Sequence, residues 1–273
     1  MLKISLAGDL GSGKSTVSKI LIERLGAEYY STGRVVRDIA EKRGMTVVEL
    51  NRYMETHPEI DHEIDDGLVA LSDSDKSLII DSRMAWHFTR NTFKVYLSTD
   101  IETSALRIMG ANRKGEHSAT LEETIASTVA RRESEKKRYF QQYGVHIKDL
   151  SNYDLVVDTT YATPEEIAER IIVSAMDWQE GKTSSVNLYI SPERLLYPDE
   201  EADMMLSSDL SGQLEGGVAI PSPIVTERNG DFYLIGNETS AIAYSLNMAT
   251  FIPAILKDAP IPEGDFVKMK NSL

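Results

Sequence analysis

The chain has 273 residues, 41% hydrophobic and 26% charged, with a net charge of −14 and no cysteine. That length suits two compact domains with real cores. The missing cysteines exclude disulfides, zinc–thiolate sites and thiol nucleophiles, and the acidic balance argues against clamping a long nucleic acid, which needs a basic face.

No apolar run approaches the length of a membrane-spanning helix, and the first residues run directly into a predicted strand. A cytoplasmic protein with no membrane and no nucleic-acid partner is the expectation. Up to about residue 180, short apolar runs alternate with longer amphipathic stretches, the pattern of βαβ units around a parallel sheet. Strands are predicted at 2–7, 27–30, 77–82, 93–98 and 153–158. Helices are predicted near 14–25, 33–43, 46–55, 59–72, 101–109, 120–141 and 164–179. Thr120 followed by Glu123 reads as a capping box, and Thr163-Pro164-Glu165-Glu166 sets a cap, an N1 proline and an N3 glutamate in order.

The segment 180–185, Glu-Gly-Lys-Thr-Ser-Ser, is small and polar and reads as a linker between a domain at 1–180 and a second at 186–273. From 183 onward 5 Lys and Arg face 13 Asp and Glu, a net of −8 that leaves −6 for the longer first part. Helical periodicity is scarce there, and prolines cluster at 221–223.

Between the first strand and first helix lies Gly8-Asp9-Leu10-Gly11-Ser12-Gly13-Lys14-Ser15-Thr16, which fits GxxxxGK[ST] in its proper setting. Gly11 and Gly13 let consecutive N–H groups point at phosphate oxygens, and the following helix adds its positive end. Lys14 is expected to reach the β- and γ-phosphates as a point charge. Ser15 is expected to ligate Mg²⁺, with Thr16 supporting it. Gly8, Asp9, Gly11, Ser12, Gly13, Lys14, Ser15 and Thr16 are the expected nucleotide-binding set. The switch and base-reading motifs of motors and GTPases are missing.

Beyond the loop stand "STG" (31–33) with Arg37, "PEIDHEID" (58–65), "IIDSR" ending at Arg83, "SEKKRY" (134–139) and "LSNYDLVVDTT" (150–160). In this order the chain resembles the cytidylate kinase family, and more closely its short archaeal-type branch, over about residues 1–178. The resemblance implies an α/β fold with a five-stranded parallel sheet, a helical flap for the nucleoside monophosphate and a mobile lid. It also implies ATP and Mg²⁺ on one side, and CMP or dCMP on the other.

Phosphoryl transfer is positioning plus neutralisation of charge, so it needs cations from several directions. Arg37 and Arg83 sit at element ends where both can face the loop, and their planar forks suit a phosphate. Arg131, Glu135 and Arg138 are spaced i, i+4, i+7 and so share a helix face. Residue by residue, the resemblance assigns Ser31, Gly33, Arg37, Arg83, Arg131, Glu135 and Arg138 to the acceptor, with Glu135 reading the cytosine amino edge. Arg107 and Arg113 both fall where the family's lid arginine lies, and the choice between them stays open. Gly110 and Gly115 would supply hinge freedom. Lys14, Arg131 and the lid arginine are then the groups that stabilise the transferring phosphoryl.

Three residues depart from the family pattern. Ser82 stands where a glycine is usual, Trp86 where a smaller residue is usual, and Asp9 puts a negative charge inside an anion-binding loop. A kinase of another small metabolite on the same frame, or a nucleotide-sensing regulatory module, are the competing readings.

The C-terminal part resembles the ParB/sulfiredoxin-like fold, with "YISPERLL" (189–196) as its opening strand and a turn at Asn229-Gly230. Its Gly236-Asn237-Glu238-Thr239-Ser240 run lacks the basic residue usual after the glycine, so the fold is read as degenerate. Sensing a nucleotide, forming a homodimer or docking a protein partner are the expected roles.

Overall fold

The computed structural model describes residues 1–54, 56–110, 120–199 and 202–268. β1 (Lys3–Gly8) is buried along its whole length, and β3 (Leu78–Asp81) and β4 (Phe93–Ser98) flank it in parallel. β2 (Glu28–Ser31) pairs outside β3, and β5 (Leu155–Asp158) pairs outside β4, both parallel. The expected five-stranded parallel sheet thus runs β2-β3-β1-β4-β5. Such strands are apolar on both faces because helices cover both.

One face packs Ile4 and Leu6 of β1 against Val17 and Leu21 of α1 (Lys14–Leu25) and Ile167, Ile171 and Ala175 of α8 (Pro164–Gln179). On the edge beyond β2, α2 (Thr32–Lys42), α3 (Val47–Met54) and α4 (Pro58–Ala70) enclose their own cluster of Ala40, Leu50, Met54, Ile60 and Ile64. These helices form the expected flap. The four-residue α5 (Ala85–Phe88) follows β3, and α6 (Ile101–Gly110) follows β4. Both capping boxes form: Thr120 Oγ1 accepts from Glu123 N at the start of α7 (Leu121–Tyr143), and Thr163 Oγ1 accepts from Glu166 N at the start of α8.

The polar stretch after α8 leads into β6 (Leu188–Ile190), which pairs in parallel with β5, Leu188 opposite Val156. From there β10 (Ile252–Leu256), β8 (Ile224–Arg228), β9 (Asp231–Gly236), β7 (Leu195–Pro198) and β11 (Phe266–Lys268) continue one eleven-stranded sheet. Asn229 and Gly230, both with positive φ (59° and 98°), make the two-residue turn between β8 and β9. A single apolar cluster joins Trp86, Tyr96 and Tyr153 to Leu188, Val225, Phe232 and Ile252, so both parts of the chain share a core.

α9 (Met204–Glu215), capped by Asp203, is a helix that periodicity does not show in this part, while the small-residue stretch after Gly236-Asn237 forms α10 (Glu238–Leu246). The buried positions of α9 are Ser207 and Ser211, not large apolar residues, and Ser211 binds Asn247 at the end of α10. Among the described residues no helix is long and apolar enough to cross a membrane.

Candidate active site

The phosphate loop closes between β1 and α1 with Gly11 and Gly13 in the left-handed region (φ 73° and 79°). A Cβ on Gly11 would lie 2.6 Å from Ser104 O of α6, so the loop is seated against that helix. A Cβ on Gly13 would meet nothing within 4 Å, because the space before it is open. Ser12 is buried and its Oγ has no protein partner. An open cradle holding a partnerless hydroxyl fits a polyphosphate.

Lys14 Nζ bends back over the loop and donates to the carbonyls of Gly8 (3.0 Å) and Asp9 (3.1 Å). Burial, and then the nearby Arg83 guanidinium, pull its pKa down to about 8 against the carboxylates of Asp81, Asp9 and Glu135. Ser15 and Thr16 are exposed at the start of α1, at the mouth of the loop.

Asp9 is no phosphate ligand by its side chain. The carboxylate turns inward, accepting from Tyr96 Oη (3.0 Å) and Thr99 N (3.1 Å), with Lys148 Nζ at 3.6 Å and Arg132 Nη2 at 3.8 Å. Its own N–H donates to Leu97 O at 2.9 Å, so it is not offered to the cradle either. The charge that looked out of place in an anion site is neutralised from behind.

Three of the acceptor candidates meet at Glu135. Its Oε2 lies 2.8 Å from Arg83 Nε and its Oε1 3.2 Å from Arg131 Nε. One turn on, the Arg138 guanidinium lies 5.0 Å from the Tyr139 ring centre. Burial works against the Arg138 charge, yet Tyr139, Asp61 of the flap and Glu135 outweigh it and raise its pKa. Ser31, Gly33 and Arg37 form a second group at the end of β2, where a Cβ on Gly33 would lie 3.7 Å from both Ser31 Oγ and Arg37 Nη1. Between the two groups Tyr29 donates to Asp81 Oδ2 at 2.9 Å.

Arg107 is placed elsewhere. Its guanidinium donates to Thr159 O (2.7 Å), Thr159 Oγ1 (3.2 Å), Thr160 O (3.3 Å) and Gly11 O (3.5 Å), all on the β5 side of the loop. These contacts tie α6 to the loop and to the end of β5. Arg113 and Gly115 lie outside the described residues.

Two departures from the family pattern prove local. Ser82 Oγ turns back to accept from Met84 N at 3.2 Å, and Trp86 is buried against Tyr153, ring centres 5.8 Å apart. Sequence reasoning missed Asp81, Arg132 and Lys148. The apolar run Leu-Ile-Ile ending in Asp81, on a strand beside β1, was a readable signal. Lys148 and Arg132 meet Asp9 only through the fold, and nothing local marks them. A narrow cleft opens there, lined by Asp9, Arg83, Tyr96, Arg132, Glu135 and Lys148 among others.

A phosphate-cradle loop at the end of β1 with guanidiniums gathered at the end of its neighbour β3 is an arrangement suited to phosphoryl transfer. Residues 3–161 match the model of the cytidylate kinase-like family. A cytidylate kinase of Thermoplasma volcanium is 38% identical over 175 residues, covering 63% of this chain and 90% of that one. One from Archaeoglobus fulgidus is 35% identical over 182 residues, covering 66% and 98%. A Lacinutrix mariniflava protein described as an S-adenosylmethionine-dependent nucleotide dehydratase is 38% identical over 171 residues, covering 62% of this chain but 35% of that one. The chain belongs to the cytidylate kinase-like family, and its activity is that of a nucleoside monophosphate kinase.

Proposed function

We propose that the protein transfers the γ-phosphoryl group of ATP, with Mg²⁺, to CMP or dCMP. The observation that carries this reading is Glu135 holding Arg83 and Arg131 together, within the electrostatic reach of Lys14. The names of the archaeal relatives support the pyrimidine acceptor.

ATP and Mg²⁺, when bound, supply the phosphoryl group and a divalent charge on its oxygens. The cradle from Gly11 to Ser15 would hold the β- and γ-phosphates, and the Ser15 hydroxyl would hold Mg²⁺. Lys14 would exchange its two carbonyl partners for phosphate oxygens and recover its full charge. Arg37 and Arg83 would seat the acceptor's α-phosphate. Arg131 would spread across the space between the two substrates and neutralise equatorial oxygens. Arg138 would steady the nucleoside from the flap side. No general base is required, because an ionised acceptor phosphate is already a nucleophile.

Both Glu135 oxygens are engaged by guanidiniums, so the carboxylate is cast as the organiser of the acceptor arginines. Glu135→Gln is then expected to raise the KM for CMP by about 10- to 100-fold, with a similar loss for UMP. A CMP-specific loss, with UMP unaffected, would return Glu135 to reading the cytosine amino group. Initial rates with the two acceptors decide between them.

The lowered Lys14 pKa sets a pH dependence. In the free protein the lysine loses its proton as pH passes about 8, and a polyphosphate beside it raises that pKa again. Nucleotide binding therefore takes up a proton at alkaline pH. ATP affinity is expected to be flat at neutral pH and to weaken by up to about tenfold per pH unit above the free-protein value. Calorimetric titrations at neutral and alkaline pH, in buffers of different ionisation enthalpy, read both the affinity and the proton.

Release of ADP from ATP, measured against a panel of monophosphates, tests the acceptor. Strong stimulation by CMP or dCMP supports the reading. Tight ATP binding without stimulation by any acceptor would overturn it in favour of a nucleotide-dependent switch.

A further inference from the structure

The phosphate loop sits in the middle of the sheet order β2-β3-β1-β4-β5-β6. The acceptor groups lie on its β2–β3 side. A donor nucleotide with its terminal phosphate turned toward them must extend over the other side, across the ends of β4 and β5, where open α/β sheets take their ligands. The turn after β5, Asp158 to Thr160, is therefore the floor beside the donor. Arg107 grips that turn from above through Thr159 O and Thr160 O, and reaches the loop at Gly11 O.

Beneath the turn Asp158 is fully buried. One of its oxygens accepts from Thr160 Oγ1 (2.6 Å) and Thr160 N (3.2 Å), and the other from Ser191 N (3.3 Å). Its cationic neighbour from below is Arg194, 8% exposed, with Nε 4.0 Å from Asp158 Oδ1. Burial pushes the Asp158 carboxyl up, and Arg194 with the Thr160 and Ser191 donors resists that. Arg194 is itself fixed from two sides, donating to Gly230 O at 3.1 Å and lying 5.6 Å from the centre of the Phe232 ring. Asp158 thus lies between Arg107 and Arg194, and its lower partners, Ser191 and Arg194, both come from the C-terminal part.

We propose that Arg194 is a positioning residue of the donor nucleotide site, holding through Asp158 the turn on which Arg107 and the phosphate loop are seated. The C-terminal part then belongs to the kinase's donor side and sets its affinity for the triphosphate. This rests on the loop being the donor site, as proposed above.

The test uses the full chain with Arg194→Met and Arg194→Lys, a fluorescent ATP analogue with Mg²⁺, and separate KM values for ATP and CMP. Arg194→Met is expected to weaken analogue binding and raise the KM for ATP by about tenfold, leaving the KM for CMP within about twofold. Arg194→Lys keeps the charge without the fork and is expected to lose about threefold in ATP affinity. Unchanged ATP binding in either folded variant overturns the proposal. So does an equal rise in both KM values, which marks a general loss of structure. If Arg194→Met does not fold, the lysine variant alone decides by the same criterion. Analogue binding needs no acceptor, so a wild-type protein that ignores CMP refutes the kinase acceptor while leaving the Arg194 result readable.

Discussion

Replacing Lys14 by methionine is expected to lower kcat/KM by about 10³-fold, about 4 kcal/mol of transition-state stabilisation, while the protein melts at the same temperature or higher. The two halves of that expectation have one cause. Lys14 is held over the loop by the carbonyls of Gly8 and Asp9, and burial beside Arg83 pulls its pKa down to about 8. A lysine whose pKa falls on folding is bound to its proton more weakly in the folded chain than in the unfolded one. Below the lowered value it therefore opposes folding, and its removal relieves the fold. Its charge is useful only once phosphate oxygens replace the carbonyls. Steady-state kinetics and a melting curve on the same preparation check both halves; a variant that loses activity only in proportion to lost structure contradicts the account.

Asp9→Ala is expected to have the opposite profile, costing about 3–5 kcal/mol of stability. The carboxylate satisfies Tyr96 Oη and Thr99 N and faces Lys148 and Arg132, which reach it from distant parts of the chain. Removing it leaves two partly buried cations and a buried phenol without the carboxylate they face. Burial raises the Asp9 pKa, but Lys148, Arg132, Thr99 N and Tyr96 together bring it below the ordinary value. Its contribution is therefore complete at neutral pH and is lost as pH falls through that lowered value. Asp9→Asn keeps the shape and a Thr99 acceptor, so a smaller loss is expected. Urea unfolding of the two variants gives the comparison, and a loss below about 1 kcal/mol for Asp9→Ala would reject the anchoring role.

Much of this architecture is legible in the sequence because it is written locally. The five core strands are short apolar runs, the phosphate loop is one contiguous motif, and the caps at Thr120 and Thr163 depend on residues three apart. The Arg131–Glu135 pair follows from helical spacing, and its partner Arg83 follows only from the family pattern. What the sequence hides is what depends on distant residues. Asp9 looks misplaced until Lys148 and Arg132 arrive behind it. Nothing near Arg107 in the sequence shows that it also ties α6 to the turn after β5. α9 escapes the periodicity argument because it buries Ser207 and Ser211 where a helix usually buries leucine or valine. β6 has three residues, and only its pairing with β5 shows that a composition change near residue 183 does not interrupt the sheet.

That continuity bears on how the two parts work together. The turn after β5 is held from above by Arg107 and from below, through Asp158, by Arg194 and Ser191, so residues of both parts fix it.

The most direct measurement follows the phosphoryl group itself. The purified protein is given Mg²⁺, ATP labelled in the γ-phosphate and one nucleoside monophosphate at a time, and the products are separated. Label is expected in CDP or dCDP, formed with equimolar ADP and far faster than label is released as inorganic phosphate. Label that appears only as inorganic phosphate, or only in a purine diphosphate, contradicts the proposed function.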